Sequence, residues 1–385
     1  MHTASSKLEI YTRHQVEIEG LGSRGEGLAS LGQAVVFVPK TRSGDVVEIE
    51  LVAREKSRYQ ARVLRWIKRS DAHAHVRCTH FYDCGGCQLQ HLSPKEQREW
   101  KISWASHWLK RSPLAPYFDP EHFQYIESPK AYEYRHRVRI HAKDSQLHFT
   151  KEKSHELHPI QDCPVLVKGF FEALERKAKE LKSFPSRSFG FFNGQLLEQD
   201  ATYSLRSHKL GVGANSFTQG NLFANELLVE QVLNELKDLP RKKLAIDFFS
   251  GVGNLSLPLS EVFERVIGVE SHSESIAWAK KNSSKIEWIE GEAENLISLL
   301  DQAPDCVVMD PPRGGSLKLC RSLMGRPLPR VIYVSCSLGS LIRDLTPLVK
   351  KGGYRIQSWT LIDLFPQTRH LESVVRLDGR DPLAL

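Results

Sequence analysis

From residue 242 onward the sequence alternates between short apolar runs and amphipathic stretches, and this alternation restricts the fold more than any other feature. Runs at 244–249, 266–270, 286–290, 306–310 and 331–335 have the length and β-branched content of strands. Between them, Ser273–Asn282 and 294–300 read as helices. Strand alternating with helix predicts a parallel, doubly wound α/β sheet, because parallel neighbours need a crossover that a helix can supply. Ligands of such sheets bind at the carboxyl ends of the strands. The residues that close each run are therefore the first candidates for chemistry.

Three strand ends carry a pattern that fits a nucleoside cofactor. The first closes on Asp247, Phe249, Ser250, Gly251, Gly253 and Asn254, where glycines permit a tight turn and close approach of a ligand to the backbone. The second closes on Glu270, placed to accept hydrogen bonds from ribose hydroxyls. The fourth closes on Asp310, Pro311, Pro312 and Arg313, an extended turn with no amide donors at the prolines. A helix cap or a simple turn would use the same residue types singly. The third glycine of a dinucleotide fingerprint is missing and there is no P-loop lysine, so S-adenosylmethionine fits better than NAD or ATP.

Cys336 closes the fifth strand, with a helix expected to start near Ser340. Helix-terminal amides there can favour a thiolate. A buried structural cysteine would have the same local sequence, but the cofactor loop at the same sheet edge favours catalysis. Glu372 stands among apolar residues of the last strand-like run. Partial desolvation would raise its pKa and suit a proton acceptor, whereas an edge-strand gatekeeper is the structural alternative.

The N-terminal part has a different character. Residues 1–68 offer four or five short strands with glycine-rich turns, predicting a small β-barrel. Up to Arg69 there are 12 Lys/Arg against eight acids, net +4, which suits an RNA-binding barrel or an ordinary solvated surface. Residues 69–222 are mixed. Within them 132–139 alternates and predicts a strand with Arg135, Arg137 and Arg139 on one face, and a helix is expected over 170–182. Cys78, Cys84, Cys87 and Cys163 offer four thiols, which suit tetrahedral zinc, an iron–sulfur cluster or free thiols. The chain of 385 residues carries net charge +7, its start has no signal-peptide core, and no apolar run approaches the ~18 residues needed to span a bilayer. A cytoplasmic location without a membrane partner is expected, and no obligate protein partner is implied.

Taken together these residues resemble the RNA 5-methyluridine (uracil-C5) methyltransferase family, in particular its 23S ribosomal RNA type with a TRAM barrel and an iron–sulfur domain. The resemblance covers nearly the whole chain. It implies an α/β multidomain protein: a TRAM/OB-like β-barrel at 1–68, a central α+β iron–sulfur domain at 69–222, and a Rossmann-like class I methyltransferase domain at 223–385. It implies that Cys78, Cys84, Cys87 and Cys163 hold a [4Fe-4S] cluster. It also implies that Gln219, Phe249, Asn254, Glu270 and Asp310 contact S-adenosylmethionine. Cys336 matches the family's nucleophile and Glu372 its base. The expected reaction is methyl transfer to carbon 5 of a uridine in 23S ribosomal RNA through a covalent adduct. Ser337 and Leu338 stand where the family usually has Asn-Pro, Gly220 replaces a larger residue, and Glu292 stands where an asparagine is often found.

Rival readings are a tRNA uridine-C5 methyltransferase, an RNA cytosine-C5 methyltransferase, a TRAM-bearing radical enzyme, an N-methyltransferase, and a non-catalytic RNA-binding or ribosome-assembly protein. The cytosine enzymes carry a second cysteine in the turn where Asp310-Pro311-Pro312-Arg313 stands here. An N-methyltransferase would show Asn-Pro-Pro-aromatic at that turn. The radical enzymes hold their cluster by three cysteines. The family's tRNA members generally lack the barrel and cluster, which favours ribosomal RNA.

Overall fold

The computed structural model describes residues 8–56, 58–152, 154–326 and 328–379. The chain forms two compact units, one of residues 1–104, 148–162 and 367–369, the other of 105–147, 163–366 and 370–385. The central stretch delimited from sequence as 69–222 is thus divided between the two.

In the first unit, β1 (Arg13–Glu17), β2 (Gly20–Leu21), β3 (Gly27–Leu31), β4 (Ala34–Val38), β5 (Val46–Glu55) and β6 (Arg58–Lys68) form one sheet in the order β1-β5-β6-β4-β3-β2. Only the β4–β6 pair is parallel. The period of two sets the inside: Val47, Ile49 and Leu51 of β5 and Val36 and Val38 of β4 are fully buried. Each such side chain contributes about 1.5–3 kcal/mol of burial energy. Arg58, Arg62, Arg65 and Lys68 of β6 are exposed. Helix α1 (Pro94–Lys110) starts with a capping box, in which Ser93 Oγ accepts from Glu96 N and the Glu96 carboxylate accepts from Ser93 N at 2.8 Å.

The chain then supplies β7 (Gln124–Ile126) and β8 (Arg137–Lys143) to the second unit, and β9 (Gln146–Thr150) pairs with β10 (Leu157–Pro159). Next come α2 (Phe170–Leu181), β11 (Phe184–Phe192), β12 (Gln195–Leu196) and the hairpin of β13 (Asp200–Leu205) and β14 (His208–Gly213). The strand expected at 132–139 begins only at Arg137. Before it, Tyr134 N and Arg135 N donate to Val165 O and His136 N donates to Gly220 O, so this backbone pairs with two other segments instead of one ladder. Arg137 and Arg139 share the outward face of β8, while Val138, Ile140 and Ala142 are buried.

Then follow α3 (Leu222–Asn234), β15 (Leu244–Phe248), α4 (Ser256–Leu259), β16 (Arg265–Glu270), α5 (Ser273–Asn282), β17 (Glu287–Glu290), β18 (Cys306–Met309), α6 (Leu317–Leu323), β19 (Arg330–Ser335), α7 (Leu338–Lys350), β20 (Arg355–Ile362) and β21 (Glu372–Asp378). They build an eight-stranded sheet with the order β17-β16-β15-β18-β19-β21-β20-β7. The alternating region is doubly wound as expected, with one difference: β21 inserts antiparallel between β19 and β20. The order turns between β15 and β18, which opens a crevice at the carboxyl edge. The helix expected at 294–300 is instead two 3₁₀ turns, because Leu296 leaves helical geometry and Glu292 provides no side-chain cap. Among the described residues, no helix is long and apolar enough to cross a membrane.

Candidate active site

The loop after β15 turns on three residues with positive φ, Phe249 (67°), Gly251 (57°) and Gly253 (102°). A Cβ on Gly253 would lie 2.2 Å from Leu257, so only glycine fits there. On Gly251 it would meet nothing within 4 Å, so that side of the loop faces open space. A left-handed Phe249 is strained, and such strain collects at ligand-binding turns. Gly251 N donates to Glu270 Oε2 at 2.8 Å and His272 N to Glu270 Oε1 at 2.7 Å. A carboxylate has about four acceptor sites, so Glu270 keeps capacity for hydroxyl donors.

Asn254 is held by a reciprocal amide pair with the fully buried Asn225 of α3, at 2.8 and 3.0 Å. Gln219 is buried and its Nε2 lies 3.4 Å from Asp310 Oδ2. At the base of the crevice, fully buried Asp247 accepts from Ser256 Oγ at 2.5 Å through one oxygen. Its other oxygen has no partner among the described residues, and neither do the buried hydroxyls of Ser216 and Ser250.

Cys336 follows β19 directly. Ser335 pairs with Ser373 at the end of the antiparallel β19–β21 ladder, so Cys336 and Glu372 are the next residue outward on each strand. Arg313, in the turn after β18, is the cation beside Cys336 that favours its thiolate. Ser337 is the N-cap of α7, its Oγ accepting from Ser340 N at 3.4 Å, and Leu338 occupies the first helical position. Asn-Pro would meet the same needs, an oxygen-bearing cap and a residue suited to the first turn. The departure from the family pattern therefore leaves the local geometry served.

The electrostatics of the edge are dominated by burial of carboxyls. Asp247 is pushed up to about 7 by burial, opposed by Ser256 and reinforced by Asp310 and Glu270. Burial also raises Asp310 to about 7. Glu372 lies well above the carboxylate range, through burial first and then the neighbouring Asp310, with Arg313 opposing. The helix-terminal thiolate expected from sequence is not the resting state. Burial, then Glu372 and Asp310, push the Cys336 thiol up to about 11, against the charge of Arg313. Loss of hydration outweighs the nearby helix amides.

The four cysteines are divided between the units: Cys78, Cys84 and Cys87 in the first, Cys163 in the second. Among the described residues no group of three or more His, Cys, Asp or Glu side chains forms a metal site. The surroundings of the first three suit an anionic group. Gly86 N donates to Cys84 Sγ at 3.3 Å, and buried Lys40 donates to Cys84 O at 2.8 Å with its charge close to Cys84, Cys87, Asp83 and Glu152.

Sequence reasoning missed three contributors. Asn225 gave no signal, lying unmarked in a largely apolar helix. Asp247 and Arg313 were visible as strand-end residues, but their roles as buried carboxyl and thiol partner needed the fold.

Comparisons with known proteins fit this geometry. A tRNA (uracil-5-)-methyltransferase family model matches residues 292–380, which hold Asp310, Cys336 and Glu372. A TRAM domain model matches 9–56, and an RNA cap guanine-N2 methyltransferase model matches 242–318, the cofactor half alone. The 23S rRNA (uracil(1939)-C(5))-methyltransferase RlmD of Shewanella woodyi is 28% identical over 96% of this chain and 97% of its own. That of Vibrio parahaemolyticus is 29% identical over the same shares, 96% and 97%. The crystal structure of Pyrococcus abyssi tRNA (uracil-54, C5)-methyltransferase with S-adenosyl-L-homocysteine superposes with a TM-score of 0.74 at 23% identity, over 94% of this chain and 99% of that one. The fold is thus shared over nearly the whole chain. The strand-end chemistry, the TRAM match and relatives aligned almost end to end together show an enzyme similar to the RNA uracil-C5 methyltransferases.

Proposed function

We propose that this chain uses S-adenosylmethionine to methylate carbon 5 of a specific uridine in 23S ribosomal RNA, through a covalent bond between Cys336 and carbon 6 of the uracil. The observation that carries the reading is the opposition of Cys336 and Glu372 at the end of one strand ladder, beside Asp310. Carbon 5 of uracil is a poor nucleophile. Addition of the Cys336 thiolate at carbon 6 moves the ring electrons onto the carbonyl oxygen as an enolate, making carbon 5 nucleophilic. Once carbon 5 has bonded the methyl group and become tetrahedral, Glu372 as carboxylate takes the carbon 5 proton, the C5–C6 double bond re-forms, and the thiolate leaves.

The cofactor edge suits a cationic nucleoside. Phe249, Asn254, Glu270, Gln219 and Asp310 would hold it, with unpartnered polar atoms of Asp247, Ser250 and Ser216 close by in sequence to that set. When bound, S-adenosylmethionine supplies the electrophilic sulfonium methyl. A positive charge beside Asp310 and Glu372 favours their ionised forms, so Glu372 becomes a base in the loaded enzyme.

Cys78, Cys84, Cys87 and Cys163 would hold a [4Fe-4S] cluster in a central iron–sulfur domain. The buried Lys40 and the Gly86 N–H support an anionic thiolate-bound group there. Its role is structural, and loss of iron without loss of fold, RNA affinity or methylation in Cys84→Ser would remove that role.

A tRNA substrate is the second reading, favoured by the shared architecture with the Pyrococcus enzyme. Unmodified 23S RNA and tRNA assayed side by side with methyl-labelled cofactor decide between them. Label at uridine carbon 5 of 23S RNA supports the proposal, and label on tRNA alone overturns the substrate.

A further inference from the structure

The turn that carries Arg313 is strapped to α7, the helix that begins two residues after Cys336. Ser340 Oγ donates to Arg313 O at 2.7 Å, and Arg343 Nη2 donates to Gly314 O at 2.6 Å. Arg343 Nε also donates to Asp344 Oδ1 at 2.7 Å. Fully buried Asp344 accepts from Ser316 N and from Tyr333 Oη, both at 2.7 Å. Gly315 has φ 69°, and a Cβ there would lie 2.2 Å from Asp344 Oδ2. Both ends of the 313–316 turn are therefore fixed, its carbonyls by Ser340 and Arg343 and its exit by Asp344.

We propose that Ser340 and Arg343 are positioning residues that keep the Arg313 guanidinium beside Cys336 by gripping the carbonyls of Arg313 and Gly314. This rests on the reading of Cys336 as the nucleophile. Arg313 is exposed, and a long side chain on a free turn would spend its time in solvent. With the turn tied to the helix that follows the nucleophile, cation and sulfur move as one body. A guanidinium beside the sulfur favours thiolate over thiol, which makes Cys336 a better nucleophile at a given pH.

The test is the rate of Cys336 alkylation by iodoacetamide in the full-length protein between pH 7 and 10, with peptide mapping to separate Cys336 from the other cysteines. Arg313→Ala is expected to slow alkylation about tenfold, the effect of one unit in thiol pKa. Ser340→Ala and Arg343→Ala should slow it severalfold across the same pH range. Arg343→Lys, which can still reach the Gly314 carbonyl, should recover most of the rate. Slowing by Arg313→Ala but not by either strap variant overturns the positioning role, as does no slowing by any of them. If Arg343→Ala fails to fold, Ser340→Ala, which removes one hydroxyl, decides the matter. Methyl transfer measured on Cys336→Ala keeps the two claims apart: activity there defeats the nucleophile reading, whereas the alkylation rates judge only the strap.

Discussion

Cys336 and Glu372 lie one residue beyond the Ser335–Ser373 pair that ends the antiparallel β19–β21 ladder, so strand register alone brings thiol and carboxyl together. This explains why β21 must insert antiparallel. A parallel strand at that position would deliver its first residue to the opposite edge of the sheet, away from the cofactor loop. β19 and β21 are buried on both faces, with Ile332, Val334, Val374 and Leu377 fully buried, as suits central strands of such a sheet.

Cofactor binding is expected to depend on pH with a midpoint near the value of Asp310, about 7. A cation binds the ionised carboxyl, so affinity for S-adenosylmethionine should rise from pH 6 to pH 8 with release of protons. Calorimetry in buffers of different ionisation enthalpy reads this directly. Affinity independent of pH would place the sulfonium away from Asp310.

Asp247 holds a buried carboxyl whose pKa rises from 3.8 to about 7 on folding. The folded state binds more protons than the unfolded one between those values, so this group costs stability as pH rises from about 4 to 7. Asp247→Asn should therefore raise stability on the order of 4 kcal/mol at pH 8, with the gain fading towards pH 4. Thermal melts at both pH values check it, and a destabilised variant at pH 8 would contradict it.

Asn225→Ala removes the partner that orients Asn254 through two hydrogen bonds. The loss should weaken cofactor binding about tenfold and cost about 1–3 kcal/mol of stability, the penalty for leaving a polar group unpaired. Equilibrium binding and denaturant melts measure the two effects, and unchanged affinity would take Asn254 out of the cofactor site.

Ser337→Ala should cost about 1 kcal/mol by uncapping α7, whereas Ser337→Asn should be nearly neutral. Denaturant midpoints distinguish these outcomes. Equal losses would mean that the cap oxygen is not what Ser337 supplies.

The strand-end residues were legible in the sequence because each chemical group closes an apolar run whose ends are marked by glycine, proline or a charge. Asp247, Glu270 and Asp310 carry that mark, whereas Cys336 closes its run between two serines. Glu372 was legible as a carboxyl in an apolar run, but its strand direction was not, since periodicity says nothing about orientation. The 132–139 run misled because its alternation comes from burial of Tyr134 and pairing of Arg135 with two separate segments, not from one ladder. The resting state of the thiol was also hidden. Local sequence displays the helix amides, but the buried carboxyls that outweigh them arrive from two other strands.

The most direct test of the central claim is the product that Glu372→Gln leaves on RNA. The glutamine preserves shape and removes the base, so addition and methyl transfer should proceed while elimination stalls. Incubation with methyl-labelled S-adenosylmethionine and unmodified 23S RNA should yield a denaturant-stable protein–RNA species. That species should carry the label, map to Cys336, and vanish when Cys336→Ala is added. Normal turnover by Glu372→Gln, or an adduct that survives Cys336→Ala, would contradict the account.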